Sequence, residues 1–420
     1  MRIAFISSEY SGLPGSGGVG TYFHHAARCL SALGHEVDVF TRGVDGDLPT
    51  VEGIHYIHLG RDHPSLFCYQ AASALRERHQ QKPFDILEYA ELNSEGYLAS
   101  ELVPEIARVV RIHAPSIILN RYLDFPRSKS RILSDLVNNV RSILGAVKSG
   151  IPTPPLAFEP VHFPWPSGSD ATERRAVSSA DLVVVMSEEM RNFVVRHWWI
   201  EAETIMKIPN PLILPANPDA TTRVTASGKQ TIGFAGRLEP RKGLVELASA
   251  LQVVLPRHPS WTAEILGKDS PSCISGISSL RLAQSHLRGI NERVSFMQEV
   301  THQDVLAWLP QLEIFAFPSL WDNFPYAILE AMAAGCAIVA SNTGAVREML
   351  GSTGILVPPG DAGALVRALD GLMKDDVKRA QLGQLAKQRY HAIYAPSRVA
   401  NDIVHSYHVA IDRAAKASRR

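Results

Sequence analysis

Phe317-Pro-Ser-Leu-Trp-Asp-Asn-Phe-Pro-Tyr-Ala-Ile-Leu-Glu330-Ala-Met-Ala-Ala-Gly335 reads as strand end, loop and helix in immediate succession. The apolar run from Ile314 to Phe317 predicts a strand, the polar-aromatic loop after it carries Asp322, and a helix of small residues follows with Glu330 in its first turns. Two carboxylates eight positions apart around a helix start suit a sugar nucleotide. They accept hydrogen bonds from sugar and ribose hydroxyls, and the free amides of a helix's first turn hold phosphate. In open α/β sheets, ligands bind beyond the carboxyl ends of the strands, which is where this loop falls.

Outward from that stretch, strands and helices alternate. Residues 2–7, 35–41, 85–88, 109–113 and 182–186 predict strands, with a helix over 21–33 that ends at Gly34. A second series predicts strands over 230–234, 261–266, 294–297, 314–317, 337–340 and 355–357. Between the series, Ile208-Pro-Asn-Pro-Leu-Ile-Leu-Pro215 and a polar stretch running to Gly228 mark a linker. The rhythm predicts an α/β fold of two doubly wound domains, residues 1–210 and 211–394, facing each other across a cleft. A C-terminal helix, within residues 395–420, is expected to cross back onto the first domain.

The 420 residues balance 42 Lys+Arg against 42 Asp+Glu, which argues against a nucleic-acid partner. The four cysteines, Cys29, Cys68, Cys273 and Cys336, show no metal-ligand spacing and read as small core residues in a reducing compartment. The N-terminus enters a strand without a signal-peptide core, and no apolar run reaches the length of a membrane span. A cytoplasmic setting is expected, with peripheral association at the inner face of the membrane left open.

Gly15-Ser-Gly-Gly-Val-Gly20 matches the dinucleotide signature in form only. Ser8 to Pro14 separates it from the strand, and the second strand's one acid, Asp38, lies inside that strand rather than at its end. The better reading is a glycine loop before a helix, with amides open to phosphate, against a plain turn. Gly236-Arg-Leu-Glu-Pro-Arg-Lys242-Gly follows the first strand of the second domain and offers Arg237 and Lys242, a fork and a point charge suited to a diphosphate; the plain alternative is a solvated basic turn. His113 closes a strand before Ala114-Pro115 and reads equally as a donor to a reacting sugar or as a structural histidine. Asp322 alone could cap the following helix, and Glu330 alone could form a buried ion pair. Residues 131–147 carry an apolar helical face with basic residues around it, the mark of a core-facing helix first and of a membrane or anionic-acceptor contact second.

These motifs resemble the retaining, nucleotide-sugar-dependent glycosyltransferases of family 4, which have the GT-B fold of two Rossmann-like domains. The resemblance is strongest from Thr231 to Asp361, through Gly236-Arg-Leu, Lys242-Gly, the Asp322-to-Glu330 unit and Gly354-Ile-Leu-Val-Pro-Pro-Gly-Asp361. Gly17-Gly-Val-Gly-Thr-Tyr22, Arg111-Ile-His113 and Ser179-Ala-Asp-Leu-Val-Val-Val-Met-Ser187 extend it into the first half. It implies that Arg237, Lys242 and Gly18 meet the donor diphosphate, Glu330 the ribose, Phe296 the base, and Asp322 with Asn323, Phe324 and Pro325 the donor sugar. His113 would sit at the anomeric centre, so that His113, Asp322 and Glu330 form the catalytic set. Two departures touch the sugar side: the family's first acid is usually Glu, and Asn323-Phe324-Pro325 stands where Gly-Phe-Gly is usual.

The expected reaction moves a sugar, from a UDP-sugar first and a GDP-sugar next, to a saccharide, lipid-linked or small-molecule acceptor. No Asp-x-Asp motif follows a strand, so no metal or other cofactor is expected. The rival readings are a non-catalytic nucleotide-sugar-binding subunit, an epimerase or phosphorylase on the same fold and, more distantly, an NAD-dependent oxidoreductase.

Overall fold

The computed structural model describes residues 1–13, 17–43, 48–60, 64–119, 167–215, 230–270, 273–274 and 277–417. The amphipathic stretch 131–147, the proline-rich residues 151–166, Gly15, Ser16 and the polar linker 216–229 lie outside the described residues. The chain forms two compact units, and the C-terminal helix Pro396–Ala417 belongs to the first.

The first unit is built on seven strands: β1 (Arg2–Ile6), β2 (Glu36–Thr41), β3 (Ile54–His58), β4 (Ile86–Ala90), β5 (Ala107–Arg111), β6 (Leu182–Val185) and β7 (Ile205–Lys207). They lie parallel in the order β3-β2-β1-β4-β5-β6-β7. The central strands are buried along their length, which is why they read as continuous apolar runs rather than alternating ones. The second unit holds β8 (Gln230–Ala235), β9 (Trp261–Leu266), a two-residue pair β10 (Cys273–Ile274) and β11 (Ile277–Ser278), then β12 (Val294–Met297), β13 (Ile314–Phe317), β14 (Ala337–Ser341) and β15 (Ile355–Val357). Apart from that pair, its strands form a parallel sheet ordered β12-β9-β8-β13-β14-β15.

In each sheet the chain starts in the middle and winds first to one side, then to the other. Strand order therefore reverses between β1 and β4 in the first unit and between β8 and β13 in the second. Neighbouring loops diverge at such a switch point and leave a crevice for ligands.

A buried charged network seals the first unit. Glu88 on β4 and Arg111 on β5 are both fully buried, 3.1 Å apart, and the guanidinium also donates to the Ile208 carbonyl at 3.1 Å and lies 4.2 Å over the Tyr22 ring. Glu88 takes further hydrogen bonds from the Tyr22 hydroxyl (2.6 Å) and from Tyr407 on the C-terminal helix. A buried carboxylate with three donors is stable where an unpaired one is not. Through Tyr407 the same carboxylate fixes the last helix to the sheet, together with buried Val399, Ile403 and Ala410. Tyr407→Phe is expected to lower the stability of this unit by about 1.5–3 kcal/mol, the worth of a hydrogen bond to a charged group. A urea midpoint unchanged from wild type would show that the tyrosine hydroxyl does not anchor the helix.

Candidate functional site

At the switch point of the second unit, the loops after β8 and β13 are locked together by charge. Arg241, buried, places its Nε 2.6 Å from Glu239 and its Nη1 3.2 Å from Asp322. The Lys242 ammonium pairs with the same Asp322 oxygen and lies 5.4 Å over the Phe317 ring. Backbone bonds join the loops as well: the Leu320 amide donates to the Arg241 carbonyl at 2.7 Å, and the Ser319 hydroxyl lies 3.0 Å from that carbonyl. Gly243 makes this interlock possible. Its φ is +70°, and a Cβ there would stand 2.0 Å from the Pro318 carbonyl oxygen.

The electrostatics follow from burial. Burial raises the Asp322 pKa, but the two cations outweigh it and hold the carboxyl below its usual value. Burial lowers the Lys242 pKa, against the pull of Asp322. Arg237, by contrast, is 63% exposed, with its guanidinium 3.9 Å from Glu239. Asp322 does not cap the next helix, Tyr326–Ala334, whose N-cap is Pro325 with no side-chain cap bond. Asn323 and Phe324 are buried, and the Phe324 ring meets Tyr394 edge to face at 6.0 Å. Glu330 lies in the second turn of that helix, with its carboxylate 7% exposed and 2.7 Å from Nε2 of His302, which is 49% exposed. The hydrogen bond to Glu330 raises the His302 pKa against burial. Phe296 lies on β12, partly buried against the core of this unit.

His113 and Gly18 belong to the first unit. His113 follows β5, buried, with its ring 5.1 Å from that of Tyr22. Burial first, then Arg111, lowers its pKa well below the usual value, so the imidazole is neutral near pH 7. Its backbone amide donates to Glu91 at 2.7 Å. Gly18 opens helix Gly18–Ala32, and the amide of Gly17, the N-cap, donates to Glu9 at 2.8 Å. A Cβ at Gly18 would meet nothing within 4 Å, so local packing does not call for glycine at this helix start. Asp38, the acid inside β2, is bound by Arg2 and Arg78 at 2.8 Å each, which accounts for it without a ligand.

Residues 17–211 match the family described as glycosyl transferase 4-like domain, and residues 229–375 match glycosyl transferases group 1. The chain is a GT4-type glycosyltransferase. It is 25% identical over 407 residues to the glycogen synthase of Mycobacterium tuberculosis, covering 93% of this chain and 90% of the relative. It is also 25% identical over 410 residues to the D-inositol 3-phosphate glycosyltransferase of Corynebacterium diphtheriae, covering 92% and 90%. In fold it is similar to the sucrose-phosphate synthase of Thermosynechococcus elongatus, with a TM-score of 0.71 at 19% identity over 97% of this chain and 98% of that one. It is likewise similar to Anabaena Alr3699/HepE in complex with UDP-glucose, with a TM-score of 0.67 at 17% identity, covering 97% and 99%. These likenesses and the two parallel-sheet units make the fold GT-B.

Sequence reading of this glycosyltransferase passed over Arg241, Glu239, His302 and Glu91. Arg241 stands beside Lys242 in the same basic turn, so it was visible but indistinguishable from a solvated neighbour. His302 and Glu91 carry no local signal; only the fold brings them to Glu330 and His113. Among the described residues, no three or more His, Cys, Asp or Glu side chains gather as a metal site would need.

Asp322→Asn leaves two buried cations short of a carboxylate and is expected to cost about 3–5 kcal/mol of stability at neutral pH. The Asp322 pKa is depressed in the folded state, so its contribution is present above the unfolded value near pH 4 and is lost as pH falls through the lower folded value. Urea unfolding of both proteins from neutral pH into the acid should therefore show the gap close below about pH 4. A gap that stays constant down the acid limb would contradict an ionised Asp322 at the centre of the lock.

Proposed function

We propose that this glycosyltransferase moves a sugar from a nucleoside diphosphate sugar, with UDP as the leading carrier and GDP next, to a saccharide, lipid-linked or small-molecule acceptor with retention at the anomeric carbon. The observation that carries the reading is the pairing of Lys242 with Asp322 across two interlocked loops at the switch point, with Arg237 exposed on the first loop and Glu330 in the second turn of the helix that follows. Arg237, exposed, and Lys242 would hold the diphosphate, Glu330 the ribose hydroxyls, and Asp322 the sugar. Asn323, Phe324 and Pro325 would shape the sugar side from behind, as the burial of the first two favours. Phe296 would lie toward the base, and the start of helix Gly18–Ala32 toward the phosphates. UDP and UDP-glucose in the HepE structures support UDP as carrier. The names of the curated relatives range from a polymer acceptor to a small phosphate, so the acceptor stays open among the three classes.

In the proposed step, the C1–O bond to the diphosphate breaks while the acceptor oxygen bonds to C1 on the same face. The acceptor's proton passes to a phosphate oxygen, so no protein nucleophile is required. The leaving diphosphate gathers negative charge, which fixed cations offset in place of a metal ion. His113, neutral near pH 7, would hydrogen-bond the reacting sugar. Asp322, already committed to Lys242, keeps that ammonium aimed, and Glu239 does the same for Arg241. Association with the inner face of the membrane is part of the proposal only if the acceptor is lipid-linked. No helix among the described residues is long and apolar enough to cross a membrane.

A ligand that binds only the native state must raise stability. Melting with UDP, GDP, ADP, dTDP and NAD, each with and without chelator, should show a rise with one nucleoside diphosphate that survives chelation. A rise with NAD alone would overturn the reading. Lys242→Ala should lower acceptor-dependent release of that nucleoside diphosphate by about 10²–10³-fold in kcat, the scale of losing one fixed charge-stabilising donor. Wild-type turnover in that variant would remove Lys242 from the diphosphate site.

A further inference from the structure

We infer that Glu91 is a positioning residue that acts through His113, with Glu173 as its electrostatic partner. The inference rests on the proposed place of His113 at the reacting sugar. Glu91 follows β4 and is fully buried. Its two carboxylate oxygens accept the backbone amides of His113 (2.7 Å) and Ala114 (2.6 Å). Two residues further along, Glu173 on helix Ser167–Ser178 takes the Ser116 amide at 3.0 Å and the Ser116 hydroxyl. The turn from His113 to Ser116 is thus held from two sides by buried carboxylates, neither of which has a cationic partner among the described ion pairs.

The segment carrying Glu91 is itself strained. Asn93 and Ser94 both adopt positive φ, +59° and +50°. Asn tolerates that region, whereas Ser visits it rarely, and such strain collects at functional sites when the surroundings hold it in place. Here they do. The Glu91 amide bonds to the Arg111 carbonyl at 3.2 Å, Ser94 returns its amide to the Glu91 carbonyl at 2.8 Å, and Glu173 accepts the Asn93 amide. A buried carboxylate is costly in a core that only needs packing. Placed on the backbone of His113, at the carboxyl end of β5, it fixes where the imidazole stands.

The arrangement has a titration consequence. Two amides on two oxygens need both oxygens to accept, which the ionised carboxyl does and the protonated one does not. Burial first, then the charge of Glu173, pushes Glu91 up to about 8; burial pushes Glu173 up to about 7. Among the described residues, Glu173 bears electrostatically on Glu91, the neighbouring His113 is neutral, and helix Ser116–Leu119 brings no titratable side chain. The hold on His113 is therefore complete once Glu91 ionises, and kcat should rise with pH through that limb.

The test measures kcat and donor KM by acceptor-dependent nucleoside diphosphate release across about pH 6 to 9 for wild type, Glu91→Gln, Glu173→Gln, His113→Ala and the Glu91→Gln/His113→Ala double variant. Glu91→Gln should lose kcat on the order of 10²-fold, the cost of displacing a group at the reacting centre, with donor KM little changed. The double variant should be no worse than His113→Ala, because one acts through the other. Glu173→Gln removes the like charge and should move the wild-type limb to lower pH. If His113→Ala loses turnover while Glu91→Gln keeps it, or if the two losses multiply, the positioning role is overturned and the reading of His113 stands. If His113→Ala itself turns over like wild type, the parent reading falls and this inference with it. Should Glu91→Gln fail to fold, the limb in Glu173→Gln decides alone: a limb that stays in place overturns the coupling.

Discussion

The site of the second unit depends on one carboxylate, Asp322, that is shared by two cations. Placing Arg241 and Lys242 side by side in a buried turn would be prohibitive without it, since each charge leaves water and repels the other. With Asp322 on Lys242 and 3.2 Å from Arg241, and Glu239 at 2.6 Å on the guanidinium's other edge, the four charges cancel in pairs. Cancelled, they tie the loop after β8 to the loop after β13 across the gap that the strand order opens. Arg237, five positions before Lys242, is exposed at the rim of this lock, 3.9 Å from Glu239. A rigid paired cluster with an exposed cation at its rim is what a polyanionic ligand requires. The lock supplies position, and the exposed guanidinium supplies charge open to solvent.

The first unit solves the same problem with the opposite sign. At its switch point the Ser8 amide and hydroxyl go to Glu95, and the Gly17 amide goes to Glu9. The end of β5 is held by Glu91. Carboxylates gather backbone donors there, whereas at the second switch point a carboxylate gathers side-chain cations. The difference matters chemically. Amide donors fix loop geometry without adding positive charge, while burial and Arg111 keep the His113 imidazole neutral. Glu88 and Arg111 lie one layer below and keep β4 and β5 in register beneath these loops.

Much of this architecture was legible because parallel strands are buried on both faces and so appear as apolar runs. The strands over Trp261–Leu266, Val294–Met297, Ile314–Phe317 and Ile355–Val357 coincide with their sequence expectation residue for residue. Among the strands that went unread are β3 and β7, at the two ends of the first sheet. β3 reads Ile54-His-Tyr-Ile-His58, too polar to stand out, and β7 is three residues long. The loops were legible for another reason: a motif after a strand is placed by the strand. What the sequence could not convey was pairing. Arg237 and Arg241 look alike in Gly236-Arg-Leu-Glu-Pro-Arg-Lys242, yet one is exposed and the other buried between Glu239 and Asp322, the latter some eighty positions away.

Asp322 also gives the departures on the sugar side a physical sense. The residues after it, Asn323 and Phe324, turn into the unit, with Phe324 against Tyr394, and Pro325 sets the entry to helix Tyr326–Ala334 without needing an amide of its own. The loop is thereby stiffened from behind, and its one outward commitment is the carboxylate on Lys242. A side chain one methylene longer at position 322 would have to fold back to keep the same oxygen on both cations, losing rotamer freedom to do so. The shorter acid and the proline thus belong together. A rigid turn that stands close to its cations needs only aspartate's reach, and a loop held this tightly has little freedom to adapt to sugars of different shape.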